Sequence, residues 1–490
     1  MTNRLQAGVA RVDITPPVGI SMAGYYARAG VSVGIERPLT ATAVVLTYGD
    51  VKLAIVACDL IFLQSPDADR VRASIASSIG TEAGGVLLNF SHTHCGPTPP
   101  SWGLHADEHQ QAMQRTYCTN LEPLLVGCAA MANRDLTPAR VGFETGSCRI
   151  GINRRERDTD GKIFLGENPE GPMDPDVGVI RVDKRDGSPI AVLFSYGCHT
   201  VTMGPKNLRL SPDFPGPARD LIEMATGGKA LFLQGAAGDI NPITGIGPTE
   251  DDTENMMRLG QTLGAEVIEV AMQIRTHQKR GPRALFSSLS KNSLFPYIPV
   301  EDSPVSLAAV SDTVELSLMP FPEPDEARRI LEFRRNALLK AQKDGVPEHL
   351  LSIYHRFHDW AIKMHSCVER GIRQATLPVN FQAIRINDLG IAAVSGETVS
   401  ELGVRTKAAS PFATTIFVGY SNGCASYMPT AECYPEGGWS PWETYSIPDM
   451  LFQTYQVPMA LSPQSGQRIV EHSAELLKRV AGADAASGRH

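Results

Sequence analysis

The sequence predicts an α/β protein of mixed sheets, with antiparallel hairpins flanked by helices. Three hairpins predict it. The first is "ATAVVLTYGDVKLAIVACDL" at 41–60, where two β-branched runs flank Tyr48-Gly49-Asp50. The second, at 177–199, turns at Asp186-Gly187, and the third occupies 381–397. Each second strand is strongly apolar and ends in small or polar residues: Cys58-Asp59, Gly197-Cys198-His199 and Ser395-Gly396-Glu397. Such continuous apolar runs suit strands covered on both faces.

Helices are expected between these pairs, at 65–79, 105–132, 216–226 and 252–276. Interleaved strands and helices with antiparallel pairs exclude a purely parallel sheet. At 321–372, "EPDEARRILEFRRNALLKAQKDG" has helical apolar spacing and acids in its first turn, and a second helix follows. This stretch is expected to be a helical hairpin inserted between sheet segments. The ending "SPQSGQRIVEHSAELLKRVAG" reads as a capped terminal helix. We expect residues 1–490 to form one catalytic domain carrying that insertion.

The formal charge of −8 carries no basic stripe, which argues against a nucleic-acid partner. No apolar run reaches the length of a membrane span, and "MTNRLQAGVARVDITPP" has no apolar leader core. Nine cysteines without a short repeated spacing point to reduced thiols and a cytoplasmic setting.

Rare polar residues follow several apolar strands. They are His92 and His94 in "SHTHCGP", His199, Asp239 to Pro242 in "GDINP", Glu397, and the stretch 419–439 containing Tyr427. Strand ends can aim side chains into one crevice. Two histidines and a carboxylate with one open position suit a catalytic zinc ion. An HxH at a strand end places both rings on one face, with Cys95 turned away. Each residue has a plainer role as well: hydrogen-bonded core histidines, Glu397 as a helix-capping acid before "TVSELG", Tyr427 as a packed aromatic. Spacing alone leaves these alternatives open.

Other patterns carry less. "ERDTDGKIFLGE" at 156–167 has calcium-loop spacing but no helical flanks, and a turn is expected. His355 and His358 share a helix face without a nearby acid motif. P-loops and dinucleotide fingerprints are missing.

The ordered segments "GVARVDITPPVGISMAGY", "SHTHCGP", "GINRR", "CHTVTMGPKNLRLSPDFPG", "GDINP", "SGE" and "NGCASYMPTAECYPEGG" resemble the catalytic domain of the neutral (non-lysosomal) ceramidase family. They run from residue 8 to about 440. The resemblance implies one zinc ion on His92, His199, Glu397 and Tyr427. It places His94 beside the substrate or attacking water, and Arg154 near the active site. It also implies amide hydrolysis by zinc-activated water, with a histidine shuttling a proton to the leaving amine. Coordination would favour the ionised form of a tyrosine that otherwise titrates near pKa ~10.

The sequence departs from that pattern in three ways. Asn241 stands where family ceramidases carry serine, so an acyl-enzyme route is not expected, and Asn241 becomes a hydrogen-bond donor to oxyanion or substrate. Trp439 replaces a tyrosine. The chain also ends without room for the family's C-terminal immunoglobulin-like domain. Together these lead to an expected substrate smaller or more soluble than ceramide. An esterase or lactonase using the same site, and a non-catalytic binding relative, are the alternatives. Loops at 99–110, 243–250 and 292–306 are expected to shape the pocket, and oligomeric state is not legible.

Overall fold

Strand Val51–Cys58 shows how the sequence builds the layers of this protein. In the computed structural model, which describes residues 4–26, 28–102, 106–287, 291–301, 304–442 and 451–483, its alternate residues enter two different cores. Ala54, Val56 and Cys58 face one, while Leu53, Ile55 and Ala57 face another. A strand buried on both faces has no polar alternation to show, which is why this run reads as continuously apolar.

The strand belongs to an eight-stranded sheet. Its order is Lys229–Gln234, Pro189–Tyr196, Asp176–Lys184, Thr137–Ser147, Gln6–Asp13, Thr40–Tyr48, Val51–Cys58 and Val86–Phe90. The outermost pair at each end is parallel and the pairs between are antiparallel. A four-stranded sheet, Leu307–Ser317, Thr376–Ile386, Leu389–Val394 and Thr414–Val418, packs on one face. Ile384, Ile391 and Ile416 there meet Val44, Ile55, Leu87 and Leu193 of the larger sheet. Helices cover both outer faces: Ser65–Ile79, Glu108–Arg134, Pro215–Thr226 and Thr253–Gln273 on the large sheet, and Ser465–Ala481 with its neighbours on the small one. The layers therefore run helix, sheet, sheet, helix.

The three expected hairpins form with their expected partners. Helix Ser65–Ile79 buries Ala68, Val71, Ile75 and Ile79 on one stripe and stops at Gly80, whose φ of 71° closes the turn. Helices Pro324–Lys343 and Glu348–Glu369 stand between two strands that pair antiparallel with each other. One detail differs. Helix Ser465–Ala481 begins after Gln464 with no side-chain cap, and its stability comes from buried Ile469, Leu476, Leu477 and Val480 instead. The calcium-like segment is the turn between antiparallel strands Gly151–Arg157 and Ile163–Asn168, with Asp158 Oδ1 accepting from the Asp160 and Lys162 amides. Among the described residues, no helix is long and apolar enough to cross a membrane.

Candidate metal centre

Strands 86–90, 189–196, 229–234, 389–394 and 414–418 deliver their C-terminal loops to one region. Two buried amides tie those loops together. Asn89 donates to the Gly419 carbonyl (2.9 Å) and accepts from the Gln234 amide (2.7 Å). Gln234 Nε2 donates to the carbonyls of Ser91 (3.0 Å) and Cys198 (2.8 Å). Sequence reasoning passed over both residues. The available signal was a polar residue inside a fully buried strand, "VLLNF" and "KALFLQ".

His92 and His94 do not sit on a strand face, since the strand ends at Phe90. Instead His92 takes a left-handed conformation (φ 60°), a strain of roughly 1–3 kcal/mol that the surroundings must hold in place. Its amide donates to the Leu60 carbonyl, and the His94 amide donates to that of Thr200. The ring centroids of His92 and His94 lie 5.0 Å apart, and those of His92 and His199 lie 4.8 Å apart. One ligand atom from each of His92, His94 and His199 falls within 4.8 Å of the others, an arrangement that could hold a metal ion.

Proton positions favour that role. His92 Nδ1 is 3.0 Å from the Ile61 carbonyl and His199 Nδ1 is 2.5 Å from that of Ala237. A carbonyl only accepts, so each Nδ1 carries the proton and each Nε2 keeps its lone pair for the centre. Burial holds all three imidazoles below the ordinary histidine range, His94 and His199 far below it. The Arg154 guanidinium pushes each in the same direction. Neutral imidazole is the ligating form. His92 Nε2 and both His94 nitrogens have no hydrogen-bond partner although buried, a vacancy in polar pairing that a cation would fill. His94 packs so closely on Gly24 that a Cβ there would lie 2.3 Å from the ring.

Glu397 faces two of these nitrogens, with Oε1 3.4 Å from His92 Nε2 and Oε2 3.6 Å from His199 Nε2. It is not the cap of the following helix, Ser400–Ala408. Asp239 takes that role from across the site, accepting from the Ser400 amide at 2.6 Å. Tyr427 is brought beside Glu397 by parallel backbone pairing, and its hydroxyl donates to the Gly238 carbonyl at 2.8 Å. Two tyrosines that the sequence did not single out complete the surroundings. Tyr455 donates a hydrogen bond to Glu397 Oε1, and the Tyr420 ring lies 4.3 Å from that of His92.

Arg154 Nη1 donates to Asn241 Oδ1 at 3.4 Å, while Arg154 Nε is buried without a partner. Trp439 is buried behind Tyr427, stacked on Tyr434 at 4.8 Å and donating to the Cys433 carbonyl. Cys95 accepts from Asn207, and burial drives its thiol up to about 12, which leaves no thiolate for nucleophilic work. His355 and His358 stay on helix Glu348–Glu369, outside the histidine cluster. Loop 243–250 packs on the segment that follows His199, where a Cβ on Gly204 would meet the Gly247 carbonyl oxygen at 1.8 Å. Of the other two loops, 103–105 and 302–303 lie outside the described residues. The inserted hairpin also arrives here. Arg356 donates to the Ser101 and Thr454 carbonyls and lies over Trp102, whose ring is 5.6 Å from Tyr455.

A family model described as neutral/alkaline non-lysosomal ceramidase, N-terminal, matches residues 5–262, more than half of the chain. The chain belongs to this family. It is 24% identical over 473 residues to the neutral ceramidase of Pseudomonas aeruginosa, covering 89% of this chain and 69% of that protein. Neutral ceramidase A of Dictyostelium discoideum is 29% identical over 186 residues, covering 34% of this chain and 24% of the relative. Neutral ceramidase B of the same organism is likewise matched over 25% of its length, so the matched stretch spans about a quarter of these two relatives. Among solved structures, a "Ceramidase complexed with C2" superposes with a TM-score of 0.67 at 17% identity, covering 98% of this chain and 76% of that one. The crystal structure of neutral ceramidase from Pseudomonas aeruginosa gives 0.66 at 18% identity, covering 98% and 75%. At these identities the likeness is one of fold, and it makes this chain's mixed α/β architecture that of the neutral ceramidases.

Proposed function

We propose that this chain is a zinc-dependent hydrolase that cleaves a carboxamide C–N bond, in an amide smaller or more soluble than ceramide. The observation that carries the reading is the set of neutral, buried histidines whose Nε2 lone pairs face Glu397. His92, His199, Glu397 and Tyr427 would hold the one ion. Tyr427 spends its proton on the Gly238 carbonyl. Bound there, zinc supplies an acidified water and a polarised scissile carbonyl.

His94 is the proton carrier in this reading. It is neutral, both its ring nitrogens are unpartnered, and it lies against the other two imidazoles. It takes a proton from the attacking water and returns it to the leaving amine, which is too basic to depart as an anion. Arg154 and Asn241 face the charge that develops on the carbonyl oxygen, Arg154 with its Nε not used elsewhere. Asn241 gives its Oδ1 to Arg154, which turns its amide donors away from that guanidinium. A carboxamide is not a nucleophile, which favours direct attack by water over an acyl-enzyme. The substitutions Asn241 and Trp439 and the aromatic enclosure by Tyr25 and Tyr420 support a small substrate. Nine free cysteines, eight of them buried, support a reducing, cytoplasmic setting.

Elemental analysis of the purified protein, joined to parallel panels of short-chain amides, esters and lactones, tests the reading. Near-stoichiometric zinc and amide cleavage that stops on chelation are expected. Full activity in metal-free protein would sink the metal centre, and turnover confined to esters or lactones would move the reaction class.

A further inference from the structure

Gly419-Tyr420-Ser421-Asn422-Gly423 has the G-x-S-x-G spacing of a serine nucleophile turn, but the fold puts a different side chain forward. Ser421 is fully buried, accepts from Asn89 Nδ2 at 3.0 Å and donates back to the Gly419 carbonyl at 2.8 Å. Its proton is used inside the turn. Tyr420 is the strained residue, with φ 47°, a left-handed conformation that bulky side chains rarely take and that clusters at functional sites. The turn is pinned to hold it. The Tyr420 amide donates to the Gly396 carbonyl at 3.0 Å, and its carbonyl accepts from the Phe90 amide at 3.1 Å. Asn422 fixes the next step: its amide donates to the Leu88 carbonyl, and its Oδ1 accepts from the Leu88 amide.

This arrangement presents a hydroxyl with nothing to bond. Among the described residues four tyrosines are buried. Tyr117, Tyr196 and Tyr427 donate to the carbonyls of Ile14, Cys148 and Gly238, the usual arrangement of a buried phenol. Tyr420 is 0% exposed, and its hydroxyl has no partner. Its ring lies 4.3 Å from that of His92 and 6.2 Å from that of His199. Glu397 and Arg154 both act electrostatically on its hydroxyl. The unused donor therefore belongs to the candidate metal centre.

A phenol keeps its proton at neutral pH, so Tyr420 has a hydrogen bond to give to an incoming oxygen. The attacking water is a poor recipient, because a donor there would stabilise the nucleophile before it reacts. The substrate's carbonyl oxygen gains charge during attack, and donors fixed in advance act most strongly on such an oxygen. We propose that Tyr420 is a further catalytic residue, whose hydroxyl donates to the carbonyl oxygen of the scissile bond as that oxygen becomes negative. It acts beside Arg154 and leaves the proton transfer to His94. No bond to Tyr420 forms or breaks, and its proton stays on Oη. This inference rests on the proposed hydrolysis.

Tyr420→Phe removes the hydroxyl and keeps the ring against His92. In zinc-loaded protein it should lower kcat by roughly 10²–10³-fold on a short-chain amide that the wild type cleaves, the usual loss for one such donor, with KM little changed. Acetohydroxamate, which offers a negatively charged oxygen to the same donor, should bind roughly 10–100-fold more weakly by calorimetry. Zinc content and melting temperature should match the wild type. Unchanged kcat and acetohydroxamate affinity in the zinc-loaded variant would overturn the inference and leave the proposed hydrolysis standing. Loss of zinc would also overturn it, because the hydroxyl would then serve the ion rather than the substrate. A wild type that binds no zinc would remove the proposed hydrolysis and this inference together. If the wild type cleaves esters alone, the amide assignment fails, while an equal loss of kcat on the ester would still support Tyr420 as the donor.

Discussion

Two polar clusters are buried at strand ends on either side of the loop that follows Cys58, and they are satisfied to opposite degrees. Asp59 and Arg219 form a closed pair. Oδ1 and Oδ2 each meet a guanidinium nitrogen at 2.7 Å, and Oδ2 also accepts from the Thr40 amide and hydroxyl. The histidine cluster is open. His92 Nε2, both His94 nitrogens and Glu397 Oε2 have no hydrogen-bond partner. His92, His199 and Glu397 are as buried as Asp59 and Arg219, so burial does not separate structure from function here. Unfilled pairing does: a folded chain leaves buried polar atoms unpaired mainly where something else will pair them.

That contrast can be broken or sharpened. His199→Ala should have the largest effect. We expect loss of bound zinc by elemental analysis and a fall in amide turnover of more than roughly 10⁴-fold, since the ion supplies both water activation and transition-state charge stabilisation. A variant that kept its metal and its rate would show the open cluster to be another structural one. Asp59→Ala should do the reverse. Stranding Arg219 in the core should cost about 3–5 kcal/mol of stability in urea titration, with zinc per folded molecule unchanged.

Tyr455→Phe addresses the rim of the open cluster, where the hydroxyl donates to Glu397. It removes only the hydroxyl that orients Glu397, so zinc affinity in chelator competition should weaken roughly 10–100-fold, as for other partners of ligands. Unchanged affinity would make Tyr455 mere packing. The smallest effect concerns pH. The three imidazoles titrate below their unfolded range in the metal-free fold. The unfolded chain thus binds more protons, and the stability they contribute is present above about pH 6.5 and lost as pH falls below it. Metal-stripped protein should melt at lower temperature at about pH 5 than at about pH 7, and His199→Ala should shrink that difference.

Local signals were legible where the physics is local. The hairpins at 41–60, 177–199 and 381–397 followed from β-branched runs and turn residues, and helix 65–79 from its apolar spacing. Where an effect depended on distant chain, sequence reading failed or gave the wrong reason. His92 and His94 meet because His92 takes a left-handed turn held by Leu60 and Thr200, not because a strand alternates. Read alone, Glu397 kept a helix-cap role open beside that of metal ligand; Asp239, from another strand end, accepts from the first amide of that helix instead. Tyr455 carried no motif at all.

The sequence by itself determined which segments become strands and helices, and that rare histidines and acids stand at their ends, because periodicity and turn chemistry act over a few residues. Only the tertiary structure decided which of those polar atoms would be paired and which left open. Pairing is settled by contacts such as Tyr455 to Glu397 and Asn89 to Gln234, whose partners lie 58 and 145 residues apart in the chain.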